Sequence, residues 1–476
     1  MFYKLKENLA LRGWQKLPYA LRDYDSGTIG FISEQEFHAL SLCDGRLSDN
    51  SPLLLPVHKE IIQKAVERGI VEVTDQPKAL APHQKYRLHP TRFIRRAHWS
   101  VTGRCNYKCR HCYMSAPNAK YGELSHKQCM DIIDELHNCG IAEVTLTGGV
   151  ALVRKDFWEL VDRLLAYGIK ISTIYSNGRL VNSDTLDALE RRRIYPEFNL
   201  SFDGLGWHDW LRGIDGAEKE AVAAFKLCRE RCFPTGAEMC LHRRNKNTLR
   251  DSINFLASLD VAHVKTNPVS NSGDWLDNAG DDSLSLEELY DVYLDYIPRF
   301  FEDGAPLGLQ LGGFFMAEKG ADKYLLPSVK SKGSEDAGRQ TVCAHARNVM
   351  YISAEGRVLP CMSLSGLEIQ KIFPLIPEFG LAACLTDSTY LNLITTTVDQ
   401  YLEQNDECDA CDWKYHCCAG CRASAMDMGA GLMEPDRAVC LFFKGGYIKR
   451  IQEAAKGNAE LGVRNSEAGV YALQIE

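Results

Sequence analysis

From residue 97 onward, short apolar runs alternate with longer segments whose apolar positions recur at helical spacing. Ala97–Thr102 precedes a helical pattern over Ser125–Cys139, and Glu143–Thr147 precedes one over Lys155–Tyr167. Lys170–Tyr175 leads to Ser183–Arg192, Glu197–Phe202 to Ala217–Cys232, Gly236–His242 to Thr248–Leu259, and Ala262–Pro268 to Ser285–Phe301. Gly140 and Gly168 close the first two helices. Six strand–helix units predict an α/β fold, a partial (β/α)6 barrel of TIM type, with chemistry at the C-terminal ends of the strands.

Ahead of the barrel the pattern is different. Tyr3–Leu11 and Thr28–Ile32 read as strands. Ser33–Leu42 reads as a helix opened by the capping pair Ser33 and Glu36, and Lys59–Arg68 as a second helix before the strand Ile70–Val73. This order suggests a small winged-helix-like domain, suited to binding a peptide or DNA, or to scaffolding. Residues 74–92 carry three prolines among polar residues and read as a linker. The expected division is 1–90 for this domain and its linker, 91–310 for the barrel, 311–342 for a bridge, 343–445 for a cysteine-rich domain and 446–476 for a tail. A helical segment, Phe442–Ala455, closes that domain and opens the tail.

A length of 476 residues fits roughly three domains. The net charge of −8 argues against nucleic acid as the main partner. The charged N-terminus lacks a signal-peptide core, and no apolar run reaches the roughly 18 residues of a membrane span. Eighteen cysteines without a secretion signal then read as ligands and reduced thiols in a cytoplasm.

Those cysteines carry the chemistry. Cys105, Cys109 and Cys112 follow the first barrel strand at CxxxCxxC spacing, close enough for a soft metal or an iron–sulfur cluster. Structural zinc, the alternative, usually takes four protein ligands. Strand 2 ends at Gly148 and Gly149, where paired glycines let backbone groups approach a ligand. Strand 3 ends at Ser176 and Asn177, and strand 4 at Ser201 and Asp203. On strand 5, Glu238, Cys240 and His242 share one face, opposite Met239 and Leu241. Facing the barrel interior, Cys240 could donate a hydrogen atom and His242 act as a base; a small buried cysteine is the plainer reading.

The CxxxCxxC loop with an aromatic, His111, before its last cysteine resembles the radical S-adenosylmethionine (SAM) superfamily. The resemblance implies a 4Fe–4S cluster on Cys105, Cys109 and Cys112 whose fourth iron binds SAM and cleaves it to a 5′-deoxyadenosyl radical. Gly148 and Gly149 match the start of that superfamily's GGEP motif, but Val150 and Ala151 replace its Glu and Pro. Ser176, Asn177, Ser201 and Asp203 match its polar SAM contacts in type and place.

Seven C-terminal cysteines and Gly356 follow the spacing of the SPASM domain of radical SAM peptide maturases, although CxxC pairs also occur in zinc ribbons. The resemblance implies two auxiliary 4Fe–4S clusters, one on Cys408, Cys411, Cys417 and Cys440, the other on Cys343, Cys361 and Cys421. The stretch before Cys343 lacks the fourth cysteine of fully ligated relatives. Either an iron is open there, or another group such as Cys384 or Cys418 closes it. The implied enzyme modifies a ribosomally made precursor peptide captured through its leader, with a reducing partner such as flavodoxin or ferredoxin. A thioether on a substrate cysteine is the expected product. A carbon–carbon cross-link, an epimer, sulfatase-type maturation and a regulator with a degenerate barrel are the alternatives.

Overall fold

The structure, a computed structural model, describes residues 1–462 apart from 117 and 271, so the expected tail lies outside the described residues from 463 on. Its centre is a 12-stranded sheet. Arg96–Ser100, Glu143–Thr147, Lys170–Ser176, Glu197–Ser201, Thr235–Leu241 and His263–Pro268 stand side by side, parallel and in chain order. These are the six strands that the hydrophobic pattern predicts, each followed by its helix. Two more parallel strands extend the set. Gly308–Leu311 adds beyond the sixth, and Val349–Ile352, from the cysteine-rich region, adds outside the first.

The strands alternate rather than running apolar throughout. Trp99, Val144, Leu146, Phe198, Leu200, Met239, Leu241 and Val264 pack under the helices in one continuous core. Their neighbours His98, Thr145, Asn199, Glu238 and Lys265 therefore point to the opposite, concave face. A parallel sheet covered by helices on both sides has no use for such a face. Its polarity marks a lumen built to hold something.

The N-terminal region departs from expectation. Phe2–Leu5 is the middle strand of a three-stranded antiparallel sheet, flanked by Asp44–Ser48 and Val71–Thr74. Helices Glu34–Ser41 and Pro56–Glu67 pack on it through Leu40, Ile62 and Ala65. The expected strand Tyr3–Leu11 breaks after Leu5, and its second half begins Leu9–Gln15 in another sheet, with Leu17–Asp23, Ile29–Phe31 and Arg87–Arg92. The hairpin after Gln15 turns on Lys16 at a φ of 65°, without the glycine or asparagine that would signal it. Arg87–Arg92 falls in the segment that reads as a linker, since Pro90 is tolerated on an edge strand.

This second sheet is joined to the barrel. Trp14 Nε1 donates to Cys139 O at 3.2 Å, Arg22 to Gly168 O at 2.6 Å, and His89 Nδ1 pairs with Asn138 O at 2.9 Å. All three acceptors belong to the C-terminal ends of the first two barrel helices, where carbonyls lack intrahelical partners. At the other end of the chain, the single helix expected over Phe442–Ala455 is two, Arg437–Lys444 and Tyr447–Ala455, broken at Gly446 with φ 69°.

Trp14 is fully buried at this junction. Trp14→Ala is expected to destabilise the N-terminal region by about 3–5 kcal/mol. A denaturation midpoint lowered for that region, with barrel cooperativity retained, is the check. An unchanged midpoint contradicts the junction.

Candidate active site

The loop after the first strand is held from below by the loop after the second. The Gly149 amide donates to Thr102 O and the Val150 amide to Arg104 O, each at 3.0 Å. A Cβ on Gly148 would strike Thr102 O, and one on Gly149 would strike Arg104 O and lie 3.0 Å from Cys105 Cβ. Gly148 also has a φ of 143°. The glycine pair is thus explained by the backbone of the cysteine loop pressing on it. Arg154 ties down both ends of that loop, donating to Val101 O at 2.8 Å and Leu124 O at 3.0 Å. Glu123 accepts from Thr102 Oγ1 and from the Gly103 amide at 2.8 Å.

Cys105, Cys109 and Cys112 converge within this frame, near enough for the charge on one thiol to be felt by the next. All three are free thiols. Burial raises them, Cys109 to about 11 against the opposing charge of Arg212. A metal binding there must displace protons. Backbone amides already point at two sulfurs, Tyr107 N to Cys105 at 3.4 Å and Ala116 N to Cys112 at 3.3 Å, a pattern that favours thiolate. Three soft donors in a partly apolar pocket fit an iron–sulfur cluster with one open iron. Beside Cys109 a cavity of about 830 Å³ opens between Lys108, Arg110, Asp274 and Asn278.

The strand ends form a second ring around the loop. Ser176 is buried and its hydroxyl accepts from the Gly178 amide at 3.1 Å. Asn177 Nδ2 donates to Asn106 Oδ1, inside the cysteine loop, at 2.8 Å. Ser201 is partly buried on the concave side. Asp203 is fully buried and fully engaged. Its Oδ2 accepts from Arg212 Nε at 2.6 Å, and its Oδ1 from the Cys240 amide at 3.0 Å. Burial alone would raise its carboxyl, but Arg212 and His208 outweigh this and hold it well below the usual carboxylate range. Arg212 in turn reaches Cys109 Sγ at 3.9 Å. A buried ion pair therefore runs from strand 4 to the cysteine loop. Arg212 ends a short helix, His208–Arg212, that carries no motif, and sequence reasoning missed it.

Cys240 reaches the concave face, partly exposed, with its sulfur within 4.8 Å of ligand atoms of His111 and Asp203. Burial raises its thiol strongly, so it is held neutral. His242 does not share this access. It is fully buried, with its ring 5.0 Å from that of Trp210 and 6.4 Å from that of Trp275. Burial depresses it to about 4, and its Nδ1 accepts from the Arg244 amide at 3.3 Å. Walled in by indoles, the ring meets no open space in which to serve as a base.

The C-terminal cysteines gather in two groups. Cys408, Cys411, Cys417 and Cys440 line one small cavity with Tyr401 and Trp413. Cys343, Cys361 and Cys421 sense one another's charge in a second group, where burial lifts Cys361 to about 12. Cys421 is exposed, which leaves this group open on one side. Cys384 is elsewhere, buried against the barrel helix near Cys139 and Glu135. The Cys418 thiol donates to Tyr415 O at 3.3 Å. No cysteine among the described residues completes the second group.

Gly149→Ala should push the cysteine loop off its seat and lower iron after anaerobic reconstitution by about four atoms per chain. Iron analysis reads this directly, and full iron in that variant would contradict the close packing.

Residues 99–256 match the radical SAM superfamily. A mycofactocin maturase, MftC, of Mycobacterium tuberculosis is 29% identical over 239 residues, spanning 45% of this chain and 59% of its own length. The chain thus covers less than two thirds of that relative. The PqqA peptide cyclase of Granulibacter bethesdensis is 24% identical over 368 residues, 75% of this chain and 90% of its own. Among solved structures, Streptococcus suis SuiB bound to its precursor peptide SuiA superposes with a TM-score of 0.63 at 15% identity, over 92% of this chain and all of SuiB. The cysteine loop, the glycine pair beneath it and the parallel strands around it make residues 99–256 a radical SAM domain.

Proposed function

We propose that this protein is a radical SAM maturase that modifies a ribosomally made precursor peptide in a reducing cytoplasm. The observation that carries the reading is the presence of three cysteine groups on one chain whose central parallel sheet has a polar concave face. Cys105, Cys109 and Cys112 would hold the SAM-binding 4Fe–4S cluster. Cys408, Cys411, Cys417 and Cys440 would hold a closed auxiliary cluster, and Cys343, Cys361 and Cys421 an open one. When bound and reduced, with an electron from a flavodoxin- or ferredoxin-like partner, the first cluster supplies a 5′-deoxyadenosyl radical from SAM.

The chain's own residues do the rest. Gly148 and Gly149 seat the cysteine loop, whose backbone fills the space a side chain would take at either position. Ser176, Asn177 and Ser201 offer polar groups to its ribose and methionine parts. Asp203 acts through Arg212 and fixes the loop rather than meeting SAM itself. Val150 in place of the motif's Glu removes one side-chain acceptor for the SAM ammonium. The parallel strands and the loops at their ends keep water from the reacting carbon.

Substrate capture falls to the N-terminal region over residues 1–92. In the three-stranded sheet, the Asp44–Ser48 edge is partly closed by Lys78, whose amide donates to Gly45 O at 2.8 Å. Among the described residues the Val71–Thr74 edge has no further strand, and Val73 is exposed there. A leader segment adding as a strand would satisfy that edge.

The open group favours a thioether as product, because a substrate thiol would complete the missing ligand. Cys240, neutral and exposed to the lumen, favours a second reading, epimerisation with its S–H as hydrogen donor.

Reconstituted wild type should hold about twelve irons and the Cys105/Cys109/Cys112→Ala variant about eight. Dithionite and SAM should yield 5′-deoxyadenosine only with the wild type. With a cysteine-containing precursor peptide, thioether formation removes two hydrogens and one alkylatable thiol. Epimerisation leaves mass and thiols unchanged and fails in Cys240→Ala. Absence of 5′-deoxyadenosine from fully loaded enzyme would sink the whole reading.

A further inference from the structure

One cation in the cysteine-rich region has no carboxylate partner among the described residues. Arg422 directly follows Cys421 and is 3% exposed. Its described hydrogen bonds all go to neutral carbonyls: Nη1 donates to Leu432 O at 3.2 Å and Glu434 O at 2.7 Å, and Nη2 donates to Ala419 O. Its Nε has no partner. Three carbonyls orient a guanidinium without neutralising it, and a buried charge left unpaired is costly. The position calls for an anion.

The anions on offer are the two cysteine groups, and Arg422 sits between them. It is the residue after Cys421 of the open group, and its guanidinium packs on Tyr401, whose hydroxyl faces Cys408 of the closed one. The guanidinium lies 4.9 Å from the centre of the Tyr401 ring, and the Tyr401 hydroxyl lies 3.8 Å from Cys408 Sγ. Lys330 is a second cation facing both groups: its Nζ donates to Gly420 O, beside Cys421, and at 3.5 Å to Cys418 O, beside Cys417, but it is only partly buried, so solvent screens it more than Arg422. The opposing charge is Asp436. Its Oδ2 accepts from the Cys421 amide at 2.8 Å, and its Oδ1 from the Ser424 hydroxyl and the Ala438 and Val439 amides at 2.9–3.2 Å, four donors that offset its field.

We propose that Arg422 is a shared counter-charge of the two auxiliary cysteine groups, the more deeply buried of the two cations there, and raises the reduction potential of whatever cluster each one holds. The proposal rests on the reading that both groups carry iron–sulfur clusters. Reduction adds one negative charge, and a fixed cation in a low-dielectric surround favours the reduced form. One side chain then keeps two centres matched, because its removal moves both in the same direction. Arg422 is a positioning and tuning residue and touches no substrate.

The test is an EPR-monitored redox titration of the full chain after anaerobic reconstitution, with iron analysis, for wild type, Arg422→Met and Arg422→Lys. At the wild-type midpoints, Arg422→Met should lower the reduced-to-oxidised ratio of both auxiliary clusters at least tenfold, about 59 mV for a one-electron couple. The Cys105 cluster should keep its potential, and Arg422→Lys should keep all three. If Arg422→Met loses auxiliary iron, retention of iron and potentials in Arg422→Lys still supports the charge. Unchanged potentials in fully loaded Arg422→Met overturn the proposal. So does Arg422→Lys losing iron as completely as the Met variant, which would assign the residue to carbonyl bonding. Wild type without auxiliary iron overturns the cluster reading itself, and is seen before any variant is compared.

Discussion

The rest of this structure depends on a steric constraint, the contact between the cysteine loop and the backbone of Gly148 and Gly149. Three thiols can face one point only if the chain carrying them is bent tightly, and a tight bend leaves amides and carbonyls in need of partners. Here those partners are the second strand's own loop, met so closely that a single added methyl would strike Thr102 O or Arg104 O. The strand order follows from this. The loops of strands 1 and 2 must be neighbours, and a parallel sheet in chain order makes them so. The third and fourth strands then bring Asn177 to Asn106, and Asp203 with Arg212 to Cys109.

Electrostatics divides the molecule along similar lines. Around the first cysteine group the buried cation, Arg212, is paired with a carboxylate on a different strand. Such a pair contributes orientation more than net stability, since desolvation offsets much of its attraction. Around the auxiliary groups the buried cation is not paired. The difference suits a centre that must hold geometry in one place and centres that must hold charge in the other.

Much of this was legible in the chain. The six barrel strands and their helices were visible because each carries a clear apolar period and glycine or serine punctuation, as at Ser125 and Ser285. The cysteine groups were visible because ligand spacing is local. What stayed hidden was set by tertiary contact. The Leu17–Asp23 strand follows a turn on Lys16, which no turn rule selects. Arg87–Arg92 looks like a linker until Leu9–Gln15 offers it a partner. Arg212, Arg154 and Arg422 belong to no motif, and their importance lies in how deeply they are buried and whom they face.

The contrast between the cysteine groups carries the argument furthest. The cavity of the closed group is ringed by four thiols with Tyr401 and Trp413, a lining that excludes further ligands. The open group has three, with Cys421 facing outward, and the two remaining cysteines of the region are turned to other work. A site built only to be filled would gain stability from a fourth thiol, and Cys418 stands close by in sequence to supply it. Its backbone, held at a φ of 45°, instead turns the sulfur toward Tyr415 O. Strain of that kind persists where surrounding structure enforces it. That placement of the spare thiol is what supports our proposal that the three-thiol group is kept open for a ligand from outside.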